Sequence, residues 1–201
     1  MRELDKRPVD AAALAKLEGL YRETFIPRLA EKAAIQVDLP RLLPGEPGGR
    51  ILQALDIAGN PHPFEQGQLL TDAGDDVAYS IAHRRFHEIY TQVAKRSNLE
   101  DLMLVDGATL RVVYTFQKTV ERGTNLGDGP YANTNLSAAV RQILKSADRS
   151  AVLLADFELY RPNLGKSAAF LCAPVFEGAT PAGVIVFQLP IDNIIRLMTA
   201  N

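Results

Sequence analysis

The chain has 201 residues, enough for one large domain or two small ones, and its 47% apolar and 23% charged residues are the balance of a globular protein. A formal charge of -2 sets up no strong field and argues against a basic nucleic-acid-binding face. One cysteine, Cys172, excludes an intrachain disulfide, and no run of roughly 18 apolar residues exists to span a bilayer.

The opening stretch, MRELDKRPVD, has no apolar core and does not read as a secretory signal. Asp10 is placed to cap a helix in which Leu14, Leu17, Tyr21 and Phe25 recur at three- and four-residue spacing, forming one apolar stripe. Pro27 falls late and is expected to kink or end it. Residues 36–50 hold Pro40, Pro44, Pro47 and three glycines, which reads as a loop or hinge. A short apolar piece, ILQALDIAG, follows, and then a break at Asn60, Pro61 and Pro63. TDAGDD leads into a second helix, with Ile81, Phe86, Ile89, Tyr90 and Val93 mostly on one face and an end near Ser97 and Asn98.

After residue 100 the period changes. DLMLVD and LRVVYTF, separated by DGAT, predict a hairpin. A polar, glycine-rich connection runs from Lys118 to Asn133. A third helix follows, with Leu136, Val140, Ile143 and Leu144 facing inward. AVLLADF, AAFLCAPVF and GVIVFQL read as three more strands, the last two joined by EGATPAG. Pro190 fits the first turn of a closing helix in which Ile191, Ile194, Ile195 and Met198 share a face. The order predicts an α+β fold: a PAS-like five-stranded antiparallel sheet over 101–189 with flanking helices, the helix near 135–147 packed on it, and an N-terminal helical region. The expected division is 1–98 for the helical region and 99–201 for the PAS-like domain.

Chemical motifs are few. His83 and His87 stand one helical turn apart, but HRRFH lacks the glutamate of HExxH and no third ligand is obvious, so no metal is expected. Asp72, Asp75 and Asp76 do not have calcium-loop spacing and read as acids at a helix N-terminus. No GxSxG, Walker or Rossmann pattern is present, and Cys172 lies in an apolar run that reads as core. No enzymatic activity and no cofactor are therefore expected. Strand alternation puts Tyr114, Phe116 and Lys118 on one face. Phe170 opens a later strand, Asp156 ends another, and Tyr160 follows it. Aromatic side chains can wall a pocket, while Asp156 and Lys118 can fix charged groups. A cavity is expected between the sheet and the connection 118–133, with Gly123, Gly127 and Gly129 bringing the backbone close to a ligand.

Four stretches together resemble a known family. They are NPHPFEQGQLLTDAGDDVAYSIAHRRFH, LMLVDGATLRVVYTFQKTVERGTNLGDGPY, LADFELYRPNLGKSAAFLCAPVF and GVIVFQLPIDNIIRLMT. In that order they resemble the Cache sensor family, the extracytoplasmic PAS-like domains of bacterial chemoreceptors, sensor kinases and receptor cyclases. FIPRL resembles the first helix of one branch. TVERGTNL departs from the pattern, since family members often carry an acidic residue and an aromatic before the glycine. The resemblance implies a periplasmic or otherwise extracytoplasmic sensor domain of a membrane receptor, with a small-molecule ligand of unknown identity, and it singles out Tyr114, Tyr131, Asp156 and Tyr160. It implies membrane helices outside the chain, terminal helices that carry the signal and emerge on one side, and a homodimer in the full-length receptor. The alternative reading is a dimerisation module that binds no ligand.

Overall fold

Helix α1 (Ala11–Leu20) begins as its sequence dictates: the Asp10 carboxylate accepts from the Ala13 N–H at 2.8 Å. Pro27 does not end it. The chain passes through a π-helical turn, Tyr21–Phe25, directly into α2 (Ile26–Ala33). The wider turn comes just before Pro27, where an α-helical turn would clash with the proline ring. It also keeps the stripe in phase. Four-residue steps drift by about 40° each in an α-helix, yet Leu17, Tyr21, Phe25 and Leu29 are all buried in one core.

The computed structural model describes residues 1–75 and 77–191. The closing helix expected from Pro190, with Ile194, Ile195 and Met198, lies outside the described residues beyond Ile191, as does any comparison of the two chain ends. Asp76 is outside them too.

The expected loop at 36–50 is partly helical: a 3-10 turn spans Leu39–Arg41 and helix α3 spans Pro47–Gln53, followed by a π-helical turn at Ala54–Ala58. Pro47 occupies the start of α3, where its missing N–H does no harm. The glycines answer a packing demand. A Cβ on Gly49 would run into the carbonyl of Gly123, and one on Gly123, whose φ is +79°, would lie 2.8 Å from the Gly49 Cα. Two backbone segments cross here with no room for side chains. Gly123 therefore makes its close approach to α3, where the sequence suggested an approach to a ligand.

Helix α4 (Ala78–Arg96) ends at Ser97 as expected, but it lies with its apolar side outward. Ile81, Phe86, Ile89 and Val93 are exposed, while Ser80, His83, His87 and Ala94 are buried against the sheet. Asp72 and Asp75 shape the turn before it, accepting from the N–H groups of Gly74 and Val77.

Five strands follow: β1 (Asp101–Asp106), β2 (Val112–Thr115), β3 (Leu153–Tyr160), β4 (Lys166–Glu177) and β5 (Thr180–Gln188). They form one sheet of order β2-β1-β5-β4-β3, antiparallel throughout. This is the PAS-like α+β arrangement that the strand order of the sequence implied. Helix α5 (Asn135–Ile143), capped by the Thr134 hydroxyl, packs on one face with Leu136, Ala139, Val140 and Ile143. That face shares its core with α1 and α2, so residues of 1–98 and of 99–201 pack together. Cys172 belongs to this core, and burial pushes its thiol up to about 12. On the other face α4 covers Leu102, Tyr114 and Phe116. The connection after β2 runs along that strand's outer edge, with Thr124 and Leu110 carbonyls accepting from Val112 and Leu126 N–H groups. It covers the strand edge that would otherwise stay open.

Two glycine substitutions are expected to differ in sign. Gly49→Ala should destabilise the protein by about 1–3 kcal/mol through overpacking. Gly19→Ala, inside α1 with nothing near the new methyl, should stabilise it by about 0.5–1 kcal/mol. Urea denaturation of both variants checks this.

Candidate functional site

A β-bulge decides which side chains can meet. In the β1–β2 ladder Leu104 pairs with Tyr114 but Val105 pairs with Val112, so Val113 has no partner across the ladder. The extra residue flips the alternation. Val112 joins the α5 face, while Tyr114 and Phe116 join the α4 face. Tyr131, Tyr160 and Phe170 lie on the α5 face. The residues expected to wall one cavity are thus divided between two sides of the sheet. Asp156 joins neither group. It is exposed beside a second bulge, between Ala155 and Glu158, where its carboxylate accepts from the Phe157 N–H and its carbonyl from Asn135 Nδ2.

On the α4 side the centre is Arg122, fully buried. It forms an ion pair with Asp56, donates to the Tyr79 hydroxyl at 2.7 Å and to the Thr115 carbonyl at 3.0 Å, and lies over the rings of Tyr79 and Tyr114. Tyr79 in turn donates to the carbonyl of Val113, the bulge residue. The rings of His83 and His87 stack at 4.6 Å. His87 Nε2 lies 2.8 Å from the Gln68 carbonyl, which can only accept, so that nitrogen carries the proton and Nδ1 accepts from the Tyr114 hydroxyl. Burial first, and then the neighbouring cations, push His83 down to about 2 and His87 to about 4. Both are neutral at physiological pH. Lys118, buried, with its Nζ 3.5 Å from His87, is pushed down to about 7 by burial and by Arg122. Among the described residues no group of three or more His, Cys, Asp or Glu side chains is arranged to hold a metal. A groove of about 320 Å³ between the N-terminus, α4 and β1–β2 is lined by Tyr79, His83, Tyr90 and Tyr114.

The α5 side holds a different set. Glu121 is 1% exposed and neither of its carboxyl oxygens has a hydrogen-bond partner among the described residues. The hydroxyls of Tyr131 and Tyr160 are likewise buried and unpartnered. Thr119 and Tyr160 lie close enough to hold back part of the rise that burial imposes on Glu121's pKa, but neither makes a hydrogen bond of full geometry with it. Tyr21, from the π-helical turn, is near the same carboxyl and donates to Gln53, whose amide donates to the carbonyls of Val120 and Arg122. Tyr160 packs edge-on against Phe170 with centroids 4.9 Å apart, and Tyr131 lies 6.4 Å from Tyr160.

This interior abuts the surface at Thr119. Its hydroxyl donates to the buried Asp101 carboxylate at 3.3 Å, and both residues line a cleft of about 220 Å³ with Phe64, Glu100, Asn163 and Lys166. Burial pushes Asp101 up to about 7 and Glu121 to about 8, and the Asp101 carboxylate adds to the difficulty of ionising Glu121. Asp101, Asp56, Glu121 and Arg122 belong to no motif that the sequence singles out. The signal lay in TVERG, where both charges follow Val120 and precede a glycine that packs backbone to backbone.

No family model matches the sequence, and no curated protein matches it. In structure the chain is similar to the ligand-binding domain of Campylobacter jejuni chemoreceptor Tlp3, solved in complex with 4-methylisoleucine, with 10% identity and a TM-score of 0.38. The match covers 97% of this chain and 59% of that chain, so this chain spans about three fifths of that length.

The buried acids give a pH dependence with a definite sign. In the folded protein Glu121 keeps a proton that an unfolded glutamate has released above its ordinary pKa. The fold therefore binds more protons, and this contribution to stability, fully present below the unfolded pKa, is lost as pH rises through about 8. The histidine and Lys118 contributions are common to wild type and Glu121→Gln and cancel in their difference. The stability of wild type relative to that variant is expected to fall between about pH 5 and about pH 8, by up to about 1.4 kcal/mol per pH unit. Chemical denaturation across pH measures it, and a flat difference would remove Glu121 as a buried, protonated acid.

Proposed function

We propose that this chain is the small-molecule sensor domain of a bacterial transmembrane receptor, of the Cache type that its sequence resembles, facing the extracytoplasmic side. The observation that carries the reading is the unpartnered polar set of Glu121, Tyr131 and Tyr160 inside a PAS-like domain. Buried polar groups left unsatisfied destabilise a fold by about 1–3 kcal/mol each, so such a concentration is understandable where a ligand supplies the missing bonds. The cleft at Asp101 and Thr119 gives that ligand an approach. The proposed site therefore comprises Tyr131, Tyr160 and Phe170 with Glu121 and Thr119. Tyr114, Phe116 and Lys118 stand across the sheet from it, and Asp156 stands outside it. In this reading the domain binds without chemistry, and the helical region 1–98 moves with the PAS-like part 99–201 because the two share a core. The signal leaves through the terminal helices to membrane segments outside this chain.

Thermal melting against a metabolite panel tests the reading. A true ligand at a hundred times its dissociation constant should stabilise the domain by about 2.7 kcal/mol. Asp156→Ala should leave that shift unchanged, and Tyr160→Phe should reduce it. A panel that leaves the melting temperature unmoved would count against a sensor.

A second reading, a dimerisation module, has its own observation. Ile81, Phe86, Ile89 and Val93 are exposed on α4, and Leu154 and Leu159 on β3, with Val152 exposed just before it. Such apolar surface suits an interface. In a receptor the same surface would serve a homodimer. If α4 forms it, Ile89→Glu should shift the mass measured by sedimentation velocity toward monomer without lowering the melting temperature of the monomer. A wild-type mass independent of concentration, at the monomer value, would end this reading.

A further inference from the structure

This inference goes beyond the sensor reading and does not need it, because it concerns the opposite side of the sheet. We propose that the groove between α4 and the β1–β2 hairpin is a second binding site, for a small neutral aromatic molecule with one hydroxyl or N–H donor, the class of phenol and indole, and that His83 Nε2 accepts its hydrogen bond. The acceptor follows from the tautomer. The Thr71 carbonyl lies 3.2 Å from His83 Nδ1 and can only accept, so Nδ1 carries the proton. Burial and the neighbouring cations keep a second proton off the ring at physiological pH. Nε2 is then a bare lone pair, buried and without a hydrogen-bond partner among the described residues. His83 is 7% exposed and lines the groove. Its ring is held from several sides. It stacks on His87 with centroids 4.6 Å apart and on Tyr79 at 6.3 Å, while Thr71 holds the other nitrogen. A lone pair fixed in this way is ready for a donor before any ligand arrives.

The walls and the room fit one or two flat rings. The groove holds about 320 Å³ and is lined by Tyr79, Phe86, Tyr90, Leu104 and Tyr114 beside His83. Ligand pockets begin at about this size, and aromatic side chains suit an aromatic guest. The hydroxyls of Tyr79 and Tyr114 are committed elsewhere, to the Val113 carbonyl and to His87 Nδ1, so these two rings offer their apolar bodies.

Charge decides against the other ligand classes. Among the described residues Arg2 and Asp106 are the only charged side chains that line the groove, one of each sign. A carboxylate or phosphate dianion has no proton to give and would set lone pair against lone pair at Nε2. An ammonium has protons to give, but Arg122 and Lys118, which already resist a positive charge on His83, would resist one beside it. A metal ion would find one free imidazole nitrogen. His87 Nε2 donates to the Gln68 carbonyl, and no group of three or more metal-ligating side chains exists among the described residues.

The test uses the chain as it stands, titrated by calorimetry with phenol and indole, with toluene as the isostere that lacks the donor, and with benzylamine and benzoate as the charged counterparts. Phenol and indole are expected to bind, and benzylamine and benzoate to bind more weakly than phenol. The ratio of phenol affinity to toluene affinity should be about tenfold higher in wild type than in His83→Phe, which keeps a ring in the stack and removes the lone pair. In protein carrying nitrogen-labelled histidine, phenol should shift the resonance of His83 Nε2 more than that of His87 Nε2. Ala82→Trp, at an exposed position on the groove wall, should retain the circular dichroism of the fold and abolish phenol binding. Tyr160→Phe, across the sheet, should leave phenol binding unchanged while it weakens the ligand of the sensor reading, so the two sites fail separately. Several results overturn the proposal: no binding of phenol or indole up to their solubility, an affinity ratio that His83→Phe does not change, phenol binding that survives Ala82→Trp, or tighter binding of benzylamine or benzoate than of phenol.

Discussion

The buried ion pair between Arg122 and Asp56 is the constraint on which the rest of this structure depends. A guanidinium wholly removed from water is tolerable only with a close counter-charge and its remaining N–H groups occupied. Asp56, Tyr79 and the Thr115 carbonyl meet most of that need. Those partners come from the helical region, from the start of α4 and from the end of β2. One side chain therefore binds three parts of the chain into a fixed relation. Removing one partner of such a pair would strand the other in the interior, a loss of about 3–5 kcal/mol.

The same anchor explains why α4 turns its polar side inward. Arg122 and Lys118 both lie between this helix and the sheet, and cations there exclude a purely apolar lining. Neutral imidazoles suit the space, since His87 satisfies the Gln68 carbonyl and the Tyr114 hydroxyl at once. Ile81, Phe86, Ile89 and Val93 are left facing outward. The bulge at Val113 serves the arrangement as well, bringing Tyr114 over to this side and presenting the carbonyl that Tyr79 binds.

Because Arg122 is drawn toward α4, its neighbour Glu121 is directed to the opposite side, near the phenols of Tyr131 and Tyr160. Tyr21 sits in the π-helical turn that joins α1 to α2, and its hydroxyl is tied through Gln53 to the carbonyls flanking Glu121. π-Helical turns inside longer helices are frequent at functional positions. A charge change at Glu121 would be felt at the point where the long N-terminal helix is least regular, which is a physical route from the proposed site to that helix.

The sequence by itself determined the five strands, the hairpins at DGAT and EGATPAG, and the cap of α1. Each is set by neighbours in the chain: period-two alternation, turn residues, or a side chain reaching its own helix end. It also placed Cys172 in the core. What only the tertiary structure decided is which side chains meet. Tyr114 and Phe116 parted from Tyr131, Tyr160 and Phe170 because one extra residue at Val113 flips a face, and no local signal marks that bulge. The Gly48–Gly49 run lies inside a helix, and position 49 carries no side chain because the backbone at Gly123 takes that space. Glu121 and Arg122 stand in a polar connection with no local signal of burial, and are the two buried centres because their partners, Asp56, Tyr21 and Tyr160, lie dozens of residues away.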